Sequence, residues 1–82
     1  MTLKIISSEK VEFSGEVDLV NLPGELGAFT VLKNHAAIIS SLTAGVIEYD
    51  VQGERTSLEV KGGIVDVDNN VVSVCFYLFE HL

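Results

Sequence analysis

The sequence has no tryptophan, and cysteine, methionine and proline occur once each in its 82 residues. A single cysteine, Cys75, excludes an internal disulfide and accords with a reducing compartment. No run of 18 apolar residues occurs, so no helix long enough to span a membrane is expected, and no basic-then-apolar leader opens the chain. Positive charge is scarce: five Lys and Arg stand against twelve Asp and Glu, a net charge of −7. Lys4, Lys10, Lys33, Arg55 and Lys61 are scattered, which argues against a basic patch for nucleic acid or anionic lipid. A basic protein partner stays open.

The patterns that carry chemistry are missing as well. Neither a Gly-x-x-x-x-Gly-Lys-Ser/Thr loop nor a Gly-x-Gly-x-x-Gly turn occurs, so no phosphate cradle and no cofactor site can be read. His35 has no His or Cys at ligand spacing, and Cys75 and His81 lie far off in sequence. A structural zinc needs four such groups, and a catalytic one three. Cys75 sits in an apolar strand, where a thiol is usually inert. No catalytic residue, metal ligand or direct ATP site is expected, and the chain is not expected to be an enzyme by itself.

What is present is alternation. An apolar content of 48% against 21% charged residues places the chain among globular proteins, and its length makes residues 1–82 one small domain. A chain of this size buries only ~60–65% of its unfolded surface, which leaves it dependent on good packing or a partner. Lys10-Val11-Glu12-Phe13-Ser14 predicts a strand with Val11 and Phe13 inward, until Gly15 turns the chain. From Glu16 to Leu22 the apolar face switches, which predicts a bulge or a strand end covered on both sides. Ile47, Tyr49 and Val51 face in on the next clear strand; Gln52-Gly53-Glu54 turns it, and Thr56, Leu58 and Val60 face in on the return. Gly62-Gly63 predicts a bulge or a close approach of backbone between sheets. Asp68-Asn69-Asn70 is another turn. Hairpin signals at this spacing, without a helical stripe, give an all-β sandwich or small barrel.

The last strand departs from the alternation. Val72, Val74, Phe76 and Leu78 form one apolar face, and Val71, Cys75, Tyr77 and Phe79 make the other apolar too. Such a strand is covered on both sides, so a partner-binding face competes with an ordinary core position.

One stretch organises the rest: Pro23-Gly24-Glu25-Leu26-Gly27-Ala28-Phe29-Thr30-Val31-Leu32-Lys33-Asn34-His35-Ala36-Ala37-Ile38, followed by Leu42-x-x-Gly45. Pro and Gly set a reversal, after which two short apolar segments flank a polar hinge. The order and spacing of these residues resemble the epsilon subunit of F-type ATP synthase, the delta subunit of the mitochondrial enzyme. Ile5-Ile6-Ser7, Phe13-Ser14-Gly15 and Val60-Lys61-Gly62-Gly63-Ile64-Val65-Asp66-Val67 extend the likeness over nearly the whole chain.

The resemblance implies a sandwich of two antiparallel sheets of about five strands each. It also implies a non-catalytic subunit at the foot of the central stalk, which couples proton translocation to ATP synthesis by packing on the gamma subunit and touching the c-ring. The complex would sit on the cytoplasmic face of a bacterial inner membrane. Glu25, Leu26, Gly27 and Ala28 match the family's c-ring loop; His35 matches its histidine near gamma. Tyr77 and Phe79, on the second face of the last strand, are the further candidates for gamma. Thr30 and Ala37 depart from the glycine and proline common at those positions, which bears on the loop around His35. A two-helix C-terminal domain, present in most bacterial members, has no counterpart before Leu82, so its ATP-binding and inhibitory properties are not carried over. The alternative is an unrelated small β-sandwich binding module for carbohydrate or peptide, which a concave row of exposed aromatics would favour.

Overall fold

A computed structural model describes residues 1–77, in which nine strands and no helix are formed. They are β1 (Thr2–Ile6), β2 (Val11–Glu16), β3 (Leu19–Leu22), β4 (Phe29–Leu32), β5 (Ile38–Leu42), β6 (Gly45–Val51), β7 (Glu54–Val60), β8 (Gly62–Asp68) and β9 (Val71–Tyr77). One sheet has the order β2-β1-β9-β8-β5 and the other β4-β3-β6-β7, so the all-β sandwich is built from five strands and four. Every pairing is antiparallel except β1 with β9, which run parallel from Thr2↔Val71 to Ile6↔Cys75. These two strands come from opposite ends of the described chain, so no hairpin turn dictates their relative direction.

Two tight turns form as their residues dictate. Gln52 and Gly53 have φ of 50° and 84°, and Asn69 and Asn70 have 49° and 63°. Positive φ at both central residues gives the turn whose twist suits a two-residue hairpin. The first closes β6 on β7 through seven consecutive pairs, and the second closes β8 on β9 through another seven.

The core lies between the sheets. Leu3, Ile5, Val65, Val67, Val72 and Val74 come from the inner face of the five-stranded sheet, and Val20, Leu22, Val31, Ile47 and Val60 from the other. Phe13 meets Tyr49 across the layers with ring centroids 4.5 Å apart and planes tilted by 43°. Burial, and then the nearby Glu12 carboxylate, push the Tyr49 hydroxyl above its ordinary pKa.

Four expectations need correction. Gly15 does not turn the chain: it lies inside β2, paired with Leu3, and the strand runs on to Glu16. Val11 is not inward: the register shifts between Ile5 and Ile6, so Phe13 pairs with Ile5 while Val11 pairs with the outward Ile6. The extra residue is Glu12, and the bulge turns Val11 to solvent. The switch between Glu16 and Leu22 is not a bulge within one strand. There β2 ends, and Val17-Asp18 carries the chain from one sheet to the other. At Gly62-Gly63 the β8–β9 register is unbroken, and the close approach is within the sheet: a Cβ on Gly63 would lie 2.3 Å from the Cys75 carbonyl oxygen and 2.9 Å from the Phe76 Cα.

That contact predicts the effect of the smallest substitution. Gly63→Ala must displace strand backbone, at a cost of ~1–3 kcal/mol or more. The melting temperature is expected to fall by roughly 10 °C in thermal circular dichroism; a change within about 2 °C would show that β9 gives way freely.

A second expectation concerns pH. Arg55 Nε and Nη2 donate to the two Asp50 carboxylate oxygens at 2.7 and 3.2 Å, clamping β6 to β7. These hydrogen bonds, opposed by partial burial and aided by the guanidinium charge, hold the Asp50 carboxyl below its ordinary 3.8. A depressed carboxylate pKa contributes stability above the unfolded value and loses it as pH falls through the folded one. The difference in melting temperature between native chain and Arg55→Met is therefore greatest near neutrality and shrinks as pH falls below the ordinary carboxylate value and through the lowered one. A difference that persists unchanged in acid would show that the fork is not what Arg55 contributes.

Candidate functional site

Direct strand partners share a face, so the registers define what each sheet shows to solvent. On the four-stranded sheet, Thr30, Asn21, Glu48 and Ser57 form one outward row across all four strands. Thr30 Oγ1 donates to Asn21 Oδ1 at 2.6 Å, and Asn21 Nδ2 reaches Glu48 Oε1 at 3.5 Å. Leu32 and Val46 are exposed there too, but this polar row lies between them.

The five-stranded sheet differs. Val11, Ile6, Cys75 and Ile64 lie side by side on four adjacent strands and end at Ser41. Val11 is 60% exposed, Ile6 38%, Ile64 48% and Tyr77, one row on, 41%; Cys75 is exposed with them. A depression of about 490 Å³ opens here, lined by Ile6, Ser41, Ile64, Cys75 and Tyr77 among others. The next outward row, Ser14, Lys4, Ser73 and Asp66, is polar. The apolar strip thus runs across the strands near one end of the sheet.

Pro23 to Ala28 stand at that same end. Gly27 N–H donates to the Gly24 carbonyl at 3.0 Å and closes a turn whose tip is Glu25 and Leu26, both exposed. Gly27 has φ of 132°, which a side chain rarely tolerates. The turn is also fastened to β5, by Glu25 N–H to the Ser41 carbonyl at 3.0 Å and Thr43 N–H to the Pro23 carbonyl at 2.9 Å, around a Gly24↔Leu42 bridge.

His35 lies elsewhere. The amide of its neighbour Asn34 donates to Asn70 Oδ1 at 2.9 Å, which places the hinge beside the β8–β9 turn. Its ring Nδ1 is 2.7 Å from the Ala36 carbonyl, so a proton on that nitrogen leaves Nε2 as the outward acceptor. From Val71, beside this turn, to Tyr77 is six strand steps, or ~20 Å. The structure therefore groups Tyr77 with the Glu25–Ala28 turn and separates both from His35. Phe79, Leu78 and His81 lie outside the described residues. Among the described residues no three His, Cys, Asp or Glu side chains are gathered to hold a metal ion.

Ile6, Val11 and Ile64 were missed as site residues by sequence reasoning. The signal was present for two of them: Ile5-Ile6 and Ile64-Val65 are adjacent apolar pairs, and in a strand one of each must face outward. Val11 had none, because the bulge that exposes it follows from pairing.

The family model for the ATP synthase delta/epsilon chain β-sandwich domain matches residues 1–81. An ATP synthase epsilon chain of Leptospira borgpetersenii is 36% identical over 74 residues, 90% of this chain and 58% of its own length. One of Desulfitobacterium hafniense is 40% identical over 73 residues, 89% of this chain and 55% of its own. The chain thus spans a little over half the length of these relatives. Among solved structures, a chain of the Euglena gracilis mitochondrial ATP synthase, from an assembly of OSCP, F1 and c-ring, superposes with a TM-score of 0.85 at 21% identity, over 90% of this chain and 48% of that one. A chain of the Tetrahymena thermophila mitochondrial central stalk and c-ring gives 0.80 at 12% identity, over 93% and 62%. At these identities the two structures speak to the fold alone.

Proposed function

The chain belongs to the ATP synthase delta/epsilon family, as its β-sandwich domain, and from that membership we propose that it is a non-catalytic central-stalk subunit that couples rotation of the c-ring to ATP synthesis. The observation that carries this reading is the exposed row Val11, Ile6, Cys75 and Ile64 with Tyr77 beside it. Apolar groups contiguous across four strands lose free energy when a partner covers them, at ~25 cal/mol per Å² removed from water. Gamma is the partner that covers the strip. Because His35 lies in the hinge beside the β8–β9 turn and Tyr77 at the other end of β9, a gamma surface that meets both runs the length of the sheet. Phe79, beyond the described residues, extends the same proposal.

The Glu25–Ala28 turn meets the c-ring. Its fastening to Ser41 and Thr43 carries a force on the tip into β5, and from β5 into β8 through five ladder pairs. A stiff body with one surface for gamma and another for the ring transmits torque without chemistry of its own; ATP is made by other subunits. The chain attaches to the membrane through the complex, on its cytoplasmic face. An unrelated carbohydrate or peptide module no longer competes, since the family model spans nearly the whole chain.

Binding to purified gamma tests the assignment. Ile64→Asp is expected to weaken it by about tenfold to a hundredfold, the affinity equivalent of burying one large aliphatic side chain. Val46→Asp, on the opposite sheet, is expected to bind as the native chain does, and both variants should melt close to it because both sites are exposed. Tyr77→Ala should follow Ile64→Asp. Native affinity in Ile64→Asp, or its loss in Val46→Asp alone, would move the contact to the other sheet.

A further inference from the structure

We infer that Lys4 and Asp66 fix the direction in which the partner lies across the five-stranded sheet: the surface that covers the apolar strip carries a carboxylate over β1 and an Arg or Lys over β8, about 10 Å apart. This deepens the docking reading above and rests on it. The registers place both side chains on the outer face, in the row next to the strip. Each pairs with Ser73 of β9, which stands between them. Both are exposed, and neither makes an ion pair among the described residues. The row beyond holds Glu16, Thr2, Val71 and Asp68. Glu16 accepts from the Thr2 hydroxyl at 2.7 Å. Lys4 is thus the one cation in these three rows, and the carboxylates of Asp66 and Asp68 stand together on β8.

Area brings both charges under the partner. One row deep and four strands wide, the strip measures about 7 Å by about 20 Å in projection, or roughly 140 Å². A specific contact buries ~800 Å² on each partner, so the partner must extend onto the next row. Ile39, 70% exposed and paired with Asp66 at the far end of that row, adds apolar surface there. An ammonium or carboxylate taken from water without a counter-charge opposes binding strongly, so a surface that covers Lys4 and Asp66 answers each with the opposite sign. The strip itself defines no direction, because Val11, Ile6, Cys75 and Ile64 offer similar apolar groups from either end. Turned by half a rotation, the partner would set its cation on Lys4 and its carboxylate on Asp66, and like charges exclude that pose.

The test measures binding of the native chain and its variants to purified gamma and to ATP synthase stripped of this subunit. Lys4→Met keeps the length of the side chain and removes its charge; Asp66→Asn does the same for the carboxylate. Each is expected to bind about tenfold to a hundredfold more weakly, because the partner's facing charge is left covered and unpaired. The exchange of Lys4→Glu with Asp66→Lys keeps the net charge of −7 and is expected to bind more weakly than either single variant. All three should melt near the native chain, since both positions are exposed. Native or tighter binding by Lys4→Met or Asp66→Asn overturns this inference, because only an unanswered charge is removed without loss. Native binding by the exchange overturns it too, and would show that net charge alone steers the partner. The docking reading is judged separately: it survives those results if Ile64→Asp still weakens binding, and it fails if Ile64→Asp binds gamma as the native chain does.

Discussion

The register between β8 and β9 is the constraint on which the molecule depends. Seven consecutive pairs, from Gly62↔Tyr77 to Asp68↔Val71, decide which apolar residues of these two strands meet the core. Because side chains alternate with a period of two, a slip of β9 by one residue would send Val72 and Val74 to solvent and bring Ser73 and Cys75 inside, and a slip of β8 would do the same to Val65 and Val67. Two features hold the register. The Asn69-Asn70 turn sets it at one end through positive φ at both positions. At the other end, Gly63 lets the β9 backbone pass where a Cβ would collide with the Cys75 carbonyl.

The same register produces the exposed apolar strip. Both strands carry apolar residues at adjacent positions, so filling the core with one set leaves the other outside. β1, paired in parallel to β9, repeats the choice: Ile5 is buried and Ile6 is not. The bulge at Ile5/Ile6 then adds Val11 to the outward row. Core packing and the apolar strip are therefore two faces of one pairing decision, with stability and the surface proposed for docking set together. The opposite sheet spends its outward positions on a polar row, Thr30-Asn21-Glu48-Ser57, and offers no comparable apolar strip.

The turn at Glu25 and Leu26 stands at the end of the sandwich where the strip lies. It leaves β3 of one sheet and is fastened to β5 of the other, so the two layers share it. A loop held from both layers is stiffer than a hairpin tip held by one. That stiffness suits a part proposed to carry force.

Sequence alone determined the fold class, the turns and the family. Alternating apolar residues, Gly and Asn at the reversals and the ordered stretch from Pro23 to Gly45 are local facts, and local sterics and solvation suffice to read them. The exposure of Glu25 was legible for the same reason, since Pro23 and Gly24 turn the chain just before it. Sequence also showed that β9 is apolar on both faces, but not which neighbours extend its outer face. The grouping of Ile6, Val11 and Ile64 around Cys75, the separation of His35 from Tyr77 and the outward turn of Val11 were decided only by tertiary structure. Each depends on the register between strands, neighbouring or distant in the chain, and register is fixed by the cooperative filling of the core, which no single segment encodes.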